Sequence, residues 1–365
     1  MKKLERQDLI DILYGCTILG TGGGGSLVKG IELIDKALAQ NKAFVLADFD
    51  ELDGDDLIAT PYSCGAISPD TEEEKAKYQH LPVSKEVPHV TALKEMEDYL
   101  GQEIKAVIST ELGGGNTAVA FYTAAMSGKV IVDGDPAGRS VPGLQHSTYY
   151  LNNLSITPMA LCNMFGESLI VSNVVDDFRA ETIVRALAVV SKNSIAVVDH
   201  IEKASVLKHA VINGAITHAW NIGKAFRLAK ENNEDIVDAV VTEGNGKLLF
   251  EGTVTENKWD TVDGFTVGDV FIDGTEDYQG DAYRIWYQNE NIISWKNDAF
   301  FVTVPDLICI FDKKKLEPVL NPYCDAGLEV AVFALPAPQE WTTQAGLDIF
   351  EPKSFGFDVD WTPIV

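Results

Sequence analysis

The chain has 365 residues, of which 46% are hydrophobic and 23% charged: enough apolar material for roughly two cores, and too much for extended disorder. Its 55 acidic and 29 basic residues leave a formal charge of −26, a field that repels nucleic acid and anionic membrane surfaces, so neither is an expected partner.

No apolar stretch of the secretion-signal kind follows the opening Met-Lys-Lys-Leu-Glu, and no run reaches the ~18 apolar residues of a membrane helix, so a cytoplasmic protein is expected. Five cysteines (Cys16, Cys64, Cys162, Cys309, Cys324) without CxxC spacing point to reduced, buried thiols rather than a disulfide framework or a zinc ribbon. Leu9, Ile10, Ile12, Leu13, Cys16 and Leu19 recur at helical spacing, as do Leu27, Val28, Ile31, Ile34, Ala37 and Leu38. The glycine run between them therefore joins two helices.

Apolar runs at 43–47 and 56–60 predict strands, and the polar stretch from Pro69 to Pro88 predicts a flap. Residues 104–109, 117–127 and 129–133 read as strand, helix and strand, a βαβ crossover with parallel pairing. A strand over 168–174, a helix over 178–191, a strand over 195–199 and a long helix over 204–230 follow. From Ile236 to Asp312 short alternating strands, separated by turns such as Asp-Gly and Gly-Asp, predict an all-β module, with a tail that packs back on one domain. The fold class is α/β: an N-terminal α/β domain with parallel βαβ units plus a C-terminal β-rich module. The expected division is 1–170 for the first domain and 171–365 for the second, which comprises a βαβα segment (171–231), the β-rich module (236–312) and a tail (313–365).

Gly20-Thr-Gly-Gly-Gly-Gly-Ser26 has the letters of a dinucleotide fingerprint, but a helix precedes it where that motif needs a strand, and no Gly-Lys-Ser closes it as a phosphate loop requires. Four successive glycines lose much entropy on ordering. The loop is thus either a tight helix–helix corner or a nest in which the amides of Gly22, Gly23, Gly24 and Gly25 hold a carboxylate, a phosphate or a polarised carbonyl. A second cluster, Glu111-Leu-Gly113-Gly114-Gly115-Asn116, starts at the carboxyl end of a predicted parallel strand, where open α/β sheets bind ligands. Glu111 offers a carboxylate, Asn116 an amide, and Gly114 close approach to the main chain; the alternative is a plain βα turn.

The third cluster, Asp133-Gly-Asp135-Pro-Ala-Gly-Arg139, leaves the next strand, which is expected to bring two acids and a guanidinium beside Glu111. Either Arg139 pairs with one carboxylate and leaves the other to move a proton, or the group is a structural salt bridge. Asp-x-Asp spacing also suits a divalent metal, with Asp133, Asp135 and His146 as the ligand set; no other cofactor is implied. His146 is an acid/base candidate or a packing residue, whereas His209 and His218 lie too far apart around one predicted helix to share a metal. Cys64 is either a buried thiol or a nucleophile.

Six motifs in this order, Gly20-Thr-Gly-Gly-Gly-Gly25, Glu111-Leu-Gly-Gly-Gly-Asn116, Asp133-Gly-Asp-Pro-Ala-Gly-Arg139 with Pro142, Gln288-Asn-Glu-Asn291, Pro305-Asp-Leu-Ile308 and Phe355-Gly-Phe-Asp358, span nearly the whole chain. Together they resemble a family long catalogued as a domain of unknown function and described as S-methyl-thiohydantoin desulfurase-like, associated with hydantoinase A/oxoprolinase-type proteins. The resemblance implies an α/β domain with a β-rich C-terminal part, a small-molecule substrate of hydantoin type and hydrolytic loss of a sulfur substituent. On that reading Asp135 or Glu111 is the general base, Asp133 and His146 belong to the same catalytic group, Arg139 and Asn116 orient the ring, and the Gly22–Gly25 amides cradle a carboxylate or ring carbonyl. Asn289 and Glu290 join the site if the β module caps the crevice. A homo-oligomer is expected. The alternatives are a non-catalytic partner subunit associated with a hydantoinase-type enzyme, and a metal-dependent cyclic-amide hydrolase.

Overall fold

The computed structural model describes residues 1–65 and 72–364. The chain enters through β1 (Lys2–Leu4) and helix α1 (Arg6–Leu19), which opens on a capping box between Glu5 and Asp8 and buries Leu9, Ile12, Leu13 and Cys16. After the glycine loop come α2 (Leu27–Ala39), capped by the Ser26 hydroxyl, then strands β2 (Phe44–Ala47) and β3 (Leu57–Gly65). Residues 66–71, which include the start of the expected flap, lie outside the described residues; its remainder forms α3 (Glu72–Tyr78) and the approach to α4 (Pro88–Leu100).

The expected crossover is present as β4 (Ala106–Val107), α5 (Asn116–Ser127) and β5 (Val130–Val132), with both strands shorter than the apolar runs suggest. A two-residue rung, β6 (Gly134–Asp135), leaves the sheet, followed by α6 (Thr148–Leu151), the hairpin β7 (Met159–Cys162) and β8 (Ser168–Val171), α7 (Asp177–Val190) and β9 (Ser194–Lys203). The first sheet has the order β1-β2-β5-β4-β3-β9-β7-β8. Its centre, β2, β5, β4 and β3, is parallel, and the flanking strands run antiparallel. The sheet thus continues across the 170/171 division through Lys203.

The single helix expected over 204–230 is interrupted. Short α8 (Ala204–Leu207) gives way to rung β10 (Ile212–Asn213), which pairs with β6, and left-handed Gly214 starts α9 (Ala215–Asn232). His209 therefore lies outside the helix that carries His218. Helix α9 packs against α1 with backbone in contact: a Cβ on Gly15 would lie 1.7 Å from the Ala219 carbonyl oxygen, and one on Gly223 1.8 Å from that of Asp11. The expected strand start at Ile236 is instead helix α10 (Ile236–Glu243), capped by Asp235 and ended at Gly244.

The β-rich module is a second eight-stranded sheet, fully antiparallel. Its strands are β11 (Lys247–Val262), β12 (Phe265–Gly274), β13 (Ala282–Gln288), β14 (Glu290–Lys296), β15 (Ala299–Thr303), β16 (Leu307–Asp312), β17 (Glu317–Pro318) and β18 (Glu329–Leu335), in the order β15-β14-β13-β12-β11-β18-β16-β17. The tail, with helix α11 (Gln344–Ile349), returns to the α/β part, where fully buried Trp341 donates its indole N–H to the Ala137 carbonyl at 2.7 Å. Among the described residues no helix is long and apolar enough to cross a membrane.

Candidate active site

The glycine loop, the Glu111 cluster and the tip of the β13–β14 hairpin meet around a cavity of about 700 Å³, within the usual range for small-molecule sites. Glycines make the meeting possible. Gly24 and Gly113 touch backbone to backbone, since a Cβ on Gly24 would come within 2.5 Å of the Gly113 Cα. The Gly24 carbonyl accepts from the amides of Gly115 at 2.9 Å and Asn116 at 3.0 Å. Gly23 abuts Glu290: a Cβ there would fall 1.7 Å from Oε1. The loop is also sewn to the β module, where the Asn291 amide donates to the Thr21 carbonyl and the Asn321 amide to that of Gly22, both at 2.8 Å. Asn289, at the hairpin tip with φ +59°, is pinned to β12 through its own amide and its Oδ1, and so directs Glu290 into the cavity wall.

Glu111 and Glu290 meet through Ser140 at the cavity wall. Glu111 accepts at Oε1 from Asn116 Nδ2 at 2.6 Å, and at Oε2 from Ser140 Oγ at 2.8 Å and the Val141 amide at 2.9 Å. Ser140 Oγ also lies 3.2 Å from Glu290 Oε1. A hydroxyl has one hydrogen and cannot donate to both carboxylates; a proton on Glu290 completes the chain, Glu290 donating to Ser140 and Ser140 to Glu111. The energetics agree. Burial raises both acids, and Glu290, with the negative charge of Glu111 as the second cause, is pushed up to about 8. Glu111 keeps three hydrogen-bond donors that favour its charged form, whereas Glu290 Oε2 is buried without a partner. The pair therefore holds one proton at neutral pH, on the Glu290 side.

The third cluster does not behave as expected. Asp133 is turned away from the cavity and caps α9, accepting from the amide of Thr217 at 3.0 Å and from its hydroxyl. Asp135 is fully buried in its own turn, where Oδ1 accepts from the Ala137 and Gly138 amides, and burial lifts it to about 7. Arg139 pairs with neither acid. Its fully buried guanidinium donates to the carbonyls of Pro305 (2.8 Å) and Asp306 (3.1 Å) and to the Thr21 hydroxyl (3.0 Å), fastening the β module to the glycine loop. Burial lowers it to about 10, with Glu290 as the main opposing charge. Gly114 is a packing position, where a Cβ would meet Thr17 Oγ1 at 2.5 Å.

His146 does reach the cavity, held against Phe350 at 4.8 Å, but burial and then Arg139 lower it to about 3, so it stays neutral. Cys64 also lines the cavity as a neutral thiol, pushed up to about 12 by burial first and the charge of Glu181 second. Asp133, Asp135 and His146 are not brought together as ligands, and among the described residues no three His, Cys, Asp or Glu side chains are grouped as a metal would require.

Sequence reasoning passed over Ser140, which links the two carboxylates, and a pair on β9, Asp199 and His200, which line the same cavity. Only adjacency to a strand end pointed to the pair, and most histidines at such positions serve packing.

Fold and site together define an α/β protein with an antiparallel C-terminal sheet and a cavity walled by buried acid–base groups. The chain belongs to the S-Me-THD-like family: the model for the S-Me-THD-like N-terminal domain matches residues 7–173 and that for the C-terminal domain residues 175–364. A crystal structure of a protein from Chromobacterium violaceum is similar over 100% of both chains, with a TM-score of 0.76 and 21% identity, a likeness of fold. No curated protein matches the chain.

Proposed function

We propose that the chain is a hydrolase that removes a sulfur substituent from a hydantoin-like five-membered ring. The carrying observation is the Glu290–Ser140–Glu111 chain at the wall of a cavity sized for a small ring. In S-methyl-thiohydantoin the ring carbon between two nitrogens bears the methylthio group and a C=N bond. Ionised Glu111 takes a proton from water as its oxygen bonds to that carbon, and the C=N pair moves to nitrogen, which takes the proton of Glu290. The tetrahedral intermediate collapses as its hydroxyl proton returns to Glu290. The C–S pair leaves with sulfur, which takes up a proton to give methanethiol and hydantoin.

Asn116 holds Glu111 in place through the 2.6 Å bond, and the amides of Gly22, Gly24 and Gly25 are the proposed cradle for the ring carbonyl, that of Gly23 being spent on the Gly20 carbonyl at 2.9 Å. The family membership supports the substrate class. Thiol release from a panel of S-methyl-thiohydantoins tests the reading. Glu111→Gln and Glu290→Gln are each expected to lower kcat by about 10²–10⁴; near-wild-type turnover in both overturns the assignment.

A further inference from the structure

A second acid–base group faces the same cavity from β9. The Tyr62 hydroxyl donates to Asp199 Oδ2 at 2.6 Å, and Asp199 Oδ1 lies 2.8 Å from His200 Nδ1. The His200 ring is clamped against Tyr149, ring centres 4.3 Å apart, and Tyr149 is in turn held by the Thr60 hydroxyl at 3.1 Å. Asp199 and His200 are 1% and 4% exposed, and both line the cavity that holds Glu111 and Glu290.

His200 Nε2 has no hydrogen-bond partner among the described residues. The facing acid from α7, Asp177, stays 4.0 Å away, and its Oδ2 is likewise unpartnered. An orphaned buried polar atom costs about 1–3 kcal/mol, and His200 differs from His89 and His146, whose Nδ1 atoms are also unpartnered, in having its other nitrogen held by a carboxylate. Here one nitrogen is tied down by a carboxylate, which fixes the tautomer, and the other is left for something that enters the cavity.

We infer that His200, oriented by Asp199, is the catalytic acid that protonates the departing sulfur, an inference that rests on the ring-hydrolase reading above. The two glutamates serve the water and the ring nitrogen, so the sulfur needs a donor on another wall. As the C–S bond breaks, its electron pair passes to sulfur, and sulfur takes the Nε2 proton of the imidazolium. Neutral imidazole then regains a proton through solvent from Glu111, which acquired one from water. The two hydrogens of water end on ring nitrogen and on sulfur. Tyr62 acts through Asp199 and is a positioning residue. The groups facing the imidazole are Asp199 from β9, with Tyr62 of β3 behind it, Tyr149 from α6 and Asp177 from α7.

The test uses the full chain, measuring thiol release from S-methyl-thiohydantoin and hydantoin affinity by calorimetry. His200 has φ +43°, a conformation asparagine tolerates, so His200→Asn is the variant of choice. It is expected to bind hydantoin within threefold of wild type and to lose about 10²–10⁴ in kcat. An S-aryl substrate, whose thiolate leaves without a proton, should shrink the defect to under tenfold. Tyr62→Phe should lower kcat on the S-methyl substrate and much less on the S-aryl one, with hydantoin affinity unchanged. A His200→Asn enzyme within threefold of wild-type kcat, or equally impaired on both leaving groups, overturns the inference and leaves the ring-hydrolase reading standing. A wild-type protein that neither binds hydantoin nor releases thiol overturns both.

Discussion

A methyl group at Gly23 should disable the carboxylate pair while leaving the fold standing. The Cβ of Gly23→Ala would sit 1.7 Å from Glu290 Oε1, so that oxygen must retreat by about 1.7 Å to restore an ordinary 3.4 Å contact. The same Cβ would lie 2.5 Å from Glu290 Cδ and 2.8 Å from Cγ, so the whole carboxyl arm must swing aside, while Gly23 itself has no left-handed φ to oppose a side chain. The swing also breaks the 3.2 Å link to Ser140 and with it the path of the proton between the two glutamates. Misplacement of a reacting group by about 1 Å costs on the order of 10²-fold, so a kcat loss of about 10² or more is expected, with a stability cost of about 1–3 kcal/mol for overpacking.

Gly24→Ala is the control. Its Cβ meets the backbone of Gly113 at 2.5 Å from a left-handed φ of +74°, so its damage falls on folding rather than on the pair. Thiol-release kinetics beside thermal unfolding separate the two effects. A Gly23→Ala protein with wild-type kcat and a wild-type pH profile refutes the assignment of Glu290 to the chemistry.

Three further outcomes follow from the same geometry. Burial lifts Glu290 from an ordinary glutamate value to about 8, so the folded chain binds a proton that the unfolded chain releases near 4.5; stability should fall as pH rises from about 5 to 8, and Glu290→Gln should flatten that slope in urea titrations. Asp133→Asn removes the charge from a cap on the first turn of α9 and should cost about 1 kcal/mol, read by thermal unfolding, with kcat/KM within threefold of wild type; a hundredfold activity loss would return Asp133 to the catalytic set. Arg139→Met strands carbonyls that now share a buried cation and should destabilise by about 3–5 kcal/mol or abolish soluble expression, whatever the substrate assay shows.

The elements that could be read from the sequence are those whose cause is local. The β4–α5–β5 crossover follows from apolar periodicity within about thirty residues, and the helix–glycine–helix order follows from the periodic faces of α1 and α2. Local signals also existed for two misread segments. Asp235 and Gly244 bracket α10 with its own caps, against a β-branched run that suggested a strand, and Gly214 breaks the long helical pattern before α9. The site divided in the same way. Glu111 and Asn116 face the cavity because they open the turn after β4, a position visible in the motif itself.

Which acids face the cavity was settled by residues distant in the chain. Asp133 is taken up by Thr217, and Arg139 is drawn off by the carbonyls of Pro305 and Asp306. Glu290 reaches the cavity because a hairpin from the other sheet lands against Gly23. Sequence alone thus determined the order of the elements and the places where backbone can approach backbone, because both depend on neighbours along the chain. Tertiary structure decided which carboxylates and which histidines face the cavity, because a titratable group is made available or spent by the partners that packing brings to it.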